Sequence, residues 1–80
     1  MKRMPQETIG DRVRRLREGK GLSLDDLAKL SDLTPNYIGR LERGEDRFSN
    51  PTITTIESLA RGLKVHPSEI TFGFSPEEKG

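Results

Sequence analysis

Several residue types that characterise common protein classes are absent or scarce in this sequence. Its 80 residues include no cysteine, no tryptophan, one tyrosine and one histidine. Without cysteine, the chain is neither a disulfide scaffold nor a thiolate metal site. No apolar run approaches the roughly 18 residues of a membrane-spanning helix. The first ten residues also lack the apolar stretch of a secretory signal. We therefore expect a single small cytoplasmic domain with no membrane contact.

Catalytic and metal-binding groups are also few. His66, the only histidine, precedes Pro67, and we interpret it as the cap of a short helix rather than as a ligand. The acidic pairs Asp25–Asp26 and Glu77–Glu78 fall at a helix start and in a terminal segment, neither of which builds a closed cleft. The glycines follow no phosphate-binding pattern. We therefore expect no enzyme activity, no metal, no cofactor and no small-molecule effector.

Charge is balanced overall but distributed unevenly along the chain. The formal net charge is +1, yet residues 1–20 carry seven lysines and arginines against three acidic residues, a net charge of +4. The remaining sixty residues therefore sum to −3. A basic first segment of this kind is either a solvated helix face or a patch that faces an anion, and both interpretations stay open.

Apolar residues recur at helical spacing through most of the chain. Ile9, Val13 and Leu16 form one stripe of a first helix, which we predict over residues 8–18 with Thr8 as its N-cap. A fourth helix begins after Thr52, and a short fifth helix begins at Pro67. The predicted buried stripe of the fourth helix comprises Ile53, Ile56, Leu59, Ala60 and Leu63. No segment alternates as a strand does, so we predict an all-α fold of five short helices.

The second and third helices are joined by very few residues. Ser23 is the predicted N-cap of the second helix, while Thr34 and Pro35 begin the third and Gly44 closes it. The connection around Asp32 is therefore only about three or four residues long, as a helix-turn-helix requires. The third helix carries polar side chains on one side, opposite its apolar residues Ile38 and Leu41. These polar residues are Asn36, Tyr37, Arg40 and Arg43.

This order of segments resembles the Cro/CI-type (XRE-family) helix-turn-helix regulators of bacteria and phages. The resemblance extends from about residue 9 to residue 70, and its motifs are "RLREGKGLSLDDLA", "YIGRLERG", "NPTITTIESLARGLKV" and "PSEI". It implies a five-helix lambda-repressor-like DNA-binding domain over residues 8–71, with an N-terminal arm at 1–7 and a C-terminal tail at 72–80. It also implies that the third helix enters the major groove of double-stranded DNA.

The resemblance further implies roles for individual residues. Asn36 and Arg40 are the candidates for contacting base edges, because Asn pairs bidentately with adenine and Arg with guanine. Tyr37 would reach a phosphate or a thymine methyl group, and Arg43 would hold the DNA backbone. For the loop residues 47–50, two alternatives are equally open: they contact phosphate, or they only connect the third helix to the fourth. The other candidate DNA contacts are Ser23, Thr34, Pro35, Arg47, Asn50 and Arg12.

The resemblance also implies an internal ion pair between Arg17 and Glu42. One of these charges left alone in the interior would be strongly destabilising, so we assign Arg17 to the fold rather than to DNA. Three features depart from the family pattern. Leu24 stands where a glutamine commonly contacts phosphate, Asp32 stands at a turn position that is usually glycine, and the loop after Gly44 is longer than usual. Aspartate adopts the left-handed conformation at modest cost, so the turn is preserved.

Three apolar residues near the C-terminal end allow two interpretations. Ile70, Phe72 and Phe74 either fold back on the core or form a dimer interface. We favour the dimer, because exposed aromatic residues near a chain end are costly without a cover. We therefore predict a homodimeric, sequence-specific transcription regulator of an inverted-repeat operator. It would be a repressor or autoregulator, such as the controller proteins of restriction–modification systems. The alternative is an antitoxin of the same fold, which binds a toxin protein and regulates its own operon.

Overall fold

The computed structural model describes residues 7–45 and 50–73, which form five α-helices and no β-strand. The helices are α1 (Ile9–Gly19), α2 (Leu24–Ser31), α3 (Pro35–Glu42), α4 (Ile53–Leu63) and α5 (Pro67–Thr71). The predicted all-α class is confirmed. None of these helices has the length and hydropathy that a membrane span requires.

Each helix begins immediately after a capping side chain. Thr8 and Ser23 form capping boxes, in which the side-chain oxygen accepts a hydrogen bond from the N–H three residues on, at 3.0 Å in both cases. Thr34 and Thr52 cap α3 and α4 through the same kind of bond. The Nδ1 atom of His66 accepts the Ser68 N–H at 3.1 Å. The predicted N-caps are therefore confirmed, and the histidine belongs to the start of α5.

The hydrophobic core lies where all five helices meet. α2 packs on α4, α3 packs on α1 and α2, and α5 packs on α1 and α4. Leu16, Leu22, Leu24, Leu33 and Val65 are among the partly buried side chains around this centre. The buried core residues are Val13, Leu27, Ala28, Ile38, Leu41, Ile56, Leu59, Ala60, Leu63 and Ile70.

Two predictions about burial are wrong. Ile53 is 75% exposed, because it is the first residue of α4 and the buried stripe begins one turn later, at Ile56. Ile70 is fully buried in the core, so its side chain cannot contribute to a dimer interface. Phe72 is 64% exposed, whereas Phe74 lies outside the described residues. Of the three predicted interface residues, only Phe72 has an exposed position in the described chain.

Close contact with α1 holds the buried side of α3 in place. Gly10 of α1 lies against the Leu41 carbonyl group, and a Cβ at this position would overlap the carbonyl oxygen and lie 2.9 Å from its carbon. Across the core, a Cβ at Gly62 would lie 3.1 Å from atoms of Leu27 and Ser31. Because these contacts involve backbone atoms, α3 and α2 have little freedom to shift. The outward side of α3 is therefore held in a defined orientation.

Candidate nucleic-acid interface

The turn between α2 and α3 depends on a left-handed residue. Asp32 has φ 60° and ψ 39°, the conformation in which glycine is usual. The Leu33 N–H then donates to the Ala28 carbonyl at 3.0 Å, which closes the end of α2. Three residues, 32–34, thus separate the two helices. The aspartate preserves the turn, as the sequence predicts, and α3 follows α2 as the second helix of a helix-turn-helix.

The two sides of α3 have opposite character. Ile38 and Leu41 are fully buried, whereas Asn36 and Arg43 are exposed and Arg40 is partly exposed. Residues 36, 40 and 43 recur at helical spacing and therefore share one side of the helix. At 1.5 Å per residue, their backbone positions span about 10 Å along the axis. This span corresponds to about three steps between successive nucleotides of one DNA strand, at about 3.4 Å per step.

The other predicted DNA contacts near the N-termini of α2 and α3 also take part in helix capping or core packing. Ser23, Thr34 and Pro35 are exposed, and the first two accept hydrogen bonds from Asp26 and Tyr37 backbone N–H groups. Tyr37 is partly buried and packs against the core, so it lies at the border of the polar side. The pKa of Asp26 is lowered, chiefly because its carboxylate accepts the Ser23 backbone N–H. The first turn of α2 carries Asp25 and Asp26, whose negative charges offset the positive end of that helix, whereas the first turn of α3 has no acidic residue and is the better suited of the two to a phosphate.

One acidic residue at this surface was missed in the sequence analysis. The Oε1 atom of Glu45 lies 3.0 Å from Nη1 of Arg40. Its Oε2 atom lies 3.2 Å from Nε and 3.1 Å from Nη2 of Arg43. The two arginines of the polar side therefore share one carboxylate. The signal was present in the sequence, because the residue after a closing glycine such as Gly44 folds back toward the last helical turn.

Arg17 and Glu42 form the ion pair that the resemblance implies. Their side chains make two parallel hydrogen bonds of 2.8 and 3.0 Å, and they are 11% and 6% exposed. Nη1 of Arg17 also donates to the Leu22 carbonyl at 2.8 Å. The pKa of Arg17 is raised, chiefly by its hydrogen bond to Glu42. The pair ties α1 to the last turn of α3 and thereby helps to orient the polar side.

The other arginines of α1 are also engaged within the fold. Arg14 and Arg15 form exposed ion pairs with nearby glutamates, at 3.1 and 2.8 Å. Nη1 of Arg12 donates to the Ile70 carbonyl at 3.0 Å, and the Arg12 side chain is only 16% exposed. This placement argues against the predicted phosphate contact by Arg12, because its guanidinium closes the end of α5. For the described part of α1, the arrangement favours a solvated face over an anion-facing patch.

The remaining predicted contacts lie around the loop before α4. Asn50 is exposed, two residues before the cap of α4, whereas Arg47 lies outside the described residues. Within residues 7–45 and 50–73, no group of three histidine, aspartate or glutamate side chains could hold a metal ion. The described surface around α3 presents amide, phenol and guanidinium groups, helix-terminal N–H groups and the carboxylate of Glu45.

A tight two-helix turn with a polar second helix defines a helix-turn-helix domain of the kind that transcription regulators carry. The chain belongs to the helix-turn-helix family HTH_3, whose family profile matches residues 13–70. A curated relative is the HTH-type transcriptional regulator DdrOP3 of Deinococcus deserti. It is 40% identical over 58 residues, which cover 70% of this chain and 43% of the relative. The chain thus spans less than half the length of that regulator.

Solved structures of two regulators have the same fold. The restriction–modification controller protein C.AhdI from Aeromonas hydrophila is 42% identical, with a TM-score of 0.70 over 78% of this chain and 89% of that one. The biofilm master regulator SinR, solved in complex with DNA, is 30% identical, with a TM-score of 0.72 over 80% of this chain and 98% of that one. The predicted five-helix, lambda-repressor-like fold is thereby confirmed.

Proposed function

We propose that this chain is a sequence-specific transcription regulator that binds double-stranded DNA as a homodimer on an inverted-repeat operator. The observation that supports this most directly is the contrast between the two sides of α3. One side is fully buried at Ile38 and Leu41, and the other presents Asn36, Arg40 and Arg43 beside a three-residue turn. A rigidly held helix with a polar outward side suits insertion into the major groove.

The proposed contacts divide into those that recognise bases and those that position the domain. Asn36, near the N-terminus of α3, and Arg40, one turn later, contact base edges. Tyr37 and Arg43 contact phosphate or sugar at the edges of the groove. The N-terminus of α2 at Ser23 contributes backbone N–H groups toward a further phosphate.

Dimer formation follows from the small size of a single interface. One helix-turn-helix unit contacts only one half-site, whereas two linked units gain affinity through effective concentration. The described chain exposes three large apolar side chains, Leu30, Ile53 and Phe72, at 50%, 75% and 64%. Such side chains are candidates for a subunit interface. They also suit the alternative function, in which this domain is an antitoxin that binds a toxin protein.

The proposal is tested by selecting from random duplex DNA with the purified chain at about 0.15 M salt, a concentration at which non-specific binding is weak. We expect an enriched palindrome whose half-sites are centred about 10 base pairs apart, roughly 34 Å. Analytical ultracentrifugation on the enriched duplex should give two chains per site. Asn36→Ala serves as the matched variant, and it should lose the preference at one position of each half-site.

Absence of enrichment would contradict the proposal. The antitoxin alternative would then be tested by expressing the chain in its native host and identifying any protein that co-purifies stoichiometrically. An enriched site without symmetry, occupied by one chain, would contradict the dimer but keep the regulator.

A further inference from the structure

The end of α3 brings an acidic residue back over the polar side of the helix. Gly44 has a φ of 72°, and its N–H donates to the Leu41 carbonyl at 3.0 Å. The Glu45 N–H donates to the Arg40 carbonyl at 3.2 Å. These two bonds form a Schellman motif, which positions the residue after glycine beside the last helical turn. The position of Glu45 is thus determined by backbone geometry and not by its side chain.

The Glu45 carboxylate lies between the two guanidinium groups of the proposed interface. It accepts from Arg40 with one oxygen and from Arg43 with the other, at 3.0 to 3.2 Å. The side chains of Arg40, Arg43 and Glu45 are 42%, 60% and 38% exposed. Ion pairs with this much exposure are weak, so another anion can displace the carboxylate. A DNA phosphate would be such an anion, because it prefers the same guanidinium edges.

We infer that Glu45 is a specificity-determining residue, which competes with DNA phosphates for Arg40 and Arg43 and thereby suppresses binding to non-operator DNA. The inference rests on the proposed function, since it concerns the same surface of α3. Binding to arbitrary sequence depends almost entirely on neutralising phosphates, so a carboxylate at the interface opposes it directly. At the operator, base contacts add to the affinity. The arginine side chains that the Glu45 carboxylate already holds in one orientation also lose less conformational entropy on binding.

The test compares Glu45→Gln with Glu18→Gln as the matched control. Both substitutions remove one negative charge, and Glu18 pairs with Arg14 on α1, with a side chain 55% exposed. Dissociation constants are measured for the wild type and both variants on the selected duplex and on a scrambled duplex, across a range of salt. Circular dichroism and urea unfolding verify that each variant is folded. The backbone bonds of the Schellman motif do not involve the substituted carboxylate.

We expect Glu45→Gln to bind the scrambled duplex about fivefold more tightly at 0.15 M salt, with a log–log salt slope steeper by about 0.9, as one additional phosphate contact requires. Its affinity for the selected duplex should rise less, so the ratio of the affinity for the selected duplex to that for the scrambled duplex should fall. Glu18→Gln should keep the wild-type ratio.

Two results would overturn the inference while leaving the proposed function intact. In the first, Glu45→Gln and Glu18→Gln bind the scrambled duplex equally. In the second, Glu45→Gln weakens only the selected complex, and Glu45 then merely positions Arg40. If the wild type itself fails to distinguish the two duplexes, the proposed function is what fails.

Discussion

Replacing Glu42 with glutamine tests how strongly the fold depends on one ion pair. Glutamine keeps the shape of the side chain but removes the charge that faces Arg17. Because the two side chains are only 11% and 6% exposed, water can solvate the unpaired Arg17 guanidinium only to a small extent. Removing one partner from a buried pair destabilises a protein by about 3–5 kcal/mol. We expect about 3 kcal/mol, the lower end, since Arg17 keeps the Leu22 carbonyl and lies 3.8 Å from Glu18.

A loss of this size is large for so small a domain. A free energy of unfolding of about 0.05–0.15 kcal/mol per residue corresponds to about 4–12 kcal/mol for this chain. Urea titrations followed by circular dichroism should therefore show a clear shift. With a slope of about 1 kcal/mol per molar urea, the midpoint of Glu42→Gln should fall by about 3 M. The same change at the exposed Glu18 should cost at most about 1 kcal/mol.

A double substitution separates the charge from the packing. Replacing both Arg17 and Glu42 with apolar residues of similar size, Met and Leu, removes both charges together. That variant should be more stable than Glu42→Gln alone, because it leaves no unpaired charge in the interior. If Glu42→Gln and Glu18→Gln shift the midpoint equally, the buried-charge argument is refuted and the pair is screened like a surface pair.

Three further predictions concern packing, pH and DNA binding. Gly10→Ala should destabilise the domain by about 3 kcal/mol, because the new methyl group overlaps the Leu41 carbonyl. Gly19→Ala, with no atom within 4 Å of the added carbon, should stabilise it by about 0.5 kcal/mol in the same urea titration. The folded state lowers the pKa of Asp26, so its contribution to stability is complete above its ordinary value of 3.8 and is lost as the pH falls through the lowered folded value. Asp26→Asn should make the urea midpoint vary less with pH in this acidic range. An unchanged dependence of the midpoint on pH would contradict this. Arg40→Ala should weaken operator binding by about 1–3 kcal/mol and relax preference at one base position, whereas a uniform loss over all sequences would identify a backbone contact.

Interactions within a few residues were readily predicted from the sequence. The caps at Thr8, Ser23 and Thr34 are local, since each side chain bonds to an N–H only three residues on. The left-handed turn at Asp32 likewise follows from the short space between two helix signals. The class of fold then followed from the order of these signals together with apolar spacing. These features are independent of how the helices later pack.

The errors have a common cause, which is that helical periodicity identifies a shared face but not the limits of the core. Ile53 is on the periodic stripe of α4, yet the core covers that stripe only from Ile56 onward. Ile70 was grouped with the nearby aromatic residues, although α5 turns its side chain into the interior. The phosphate contact predicted for Arg12 stays a prediction, and the hydrogen bond from its guanidinium to the Ile70 carbonyl argues against it.

The sequence by itself therefore determined the five helices, their caps, the tight turn before α3 and the polar side of that helix. Each of these depends on residue preferences and hydrogen bonds within about one helical turn. Tertiary structure alone decided which charges remain at the surface of α3. Packing brought Arg17 to Glu42 across 25 residues, a pair that the family resemblance implied but that residue spacing does not predict, and it brought Arg12 to the Ile70 carbonyl across 58. An ion pair or carbonyl contact at that separation exists only after packing brings its partners within about 3 Å.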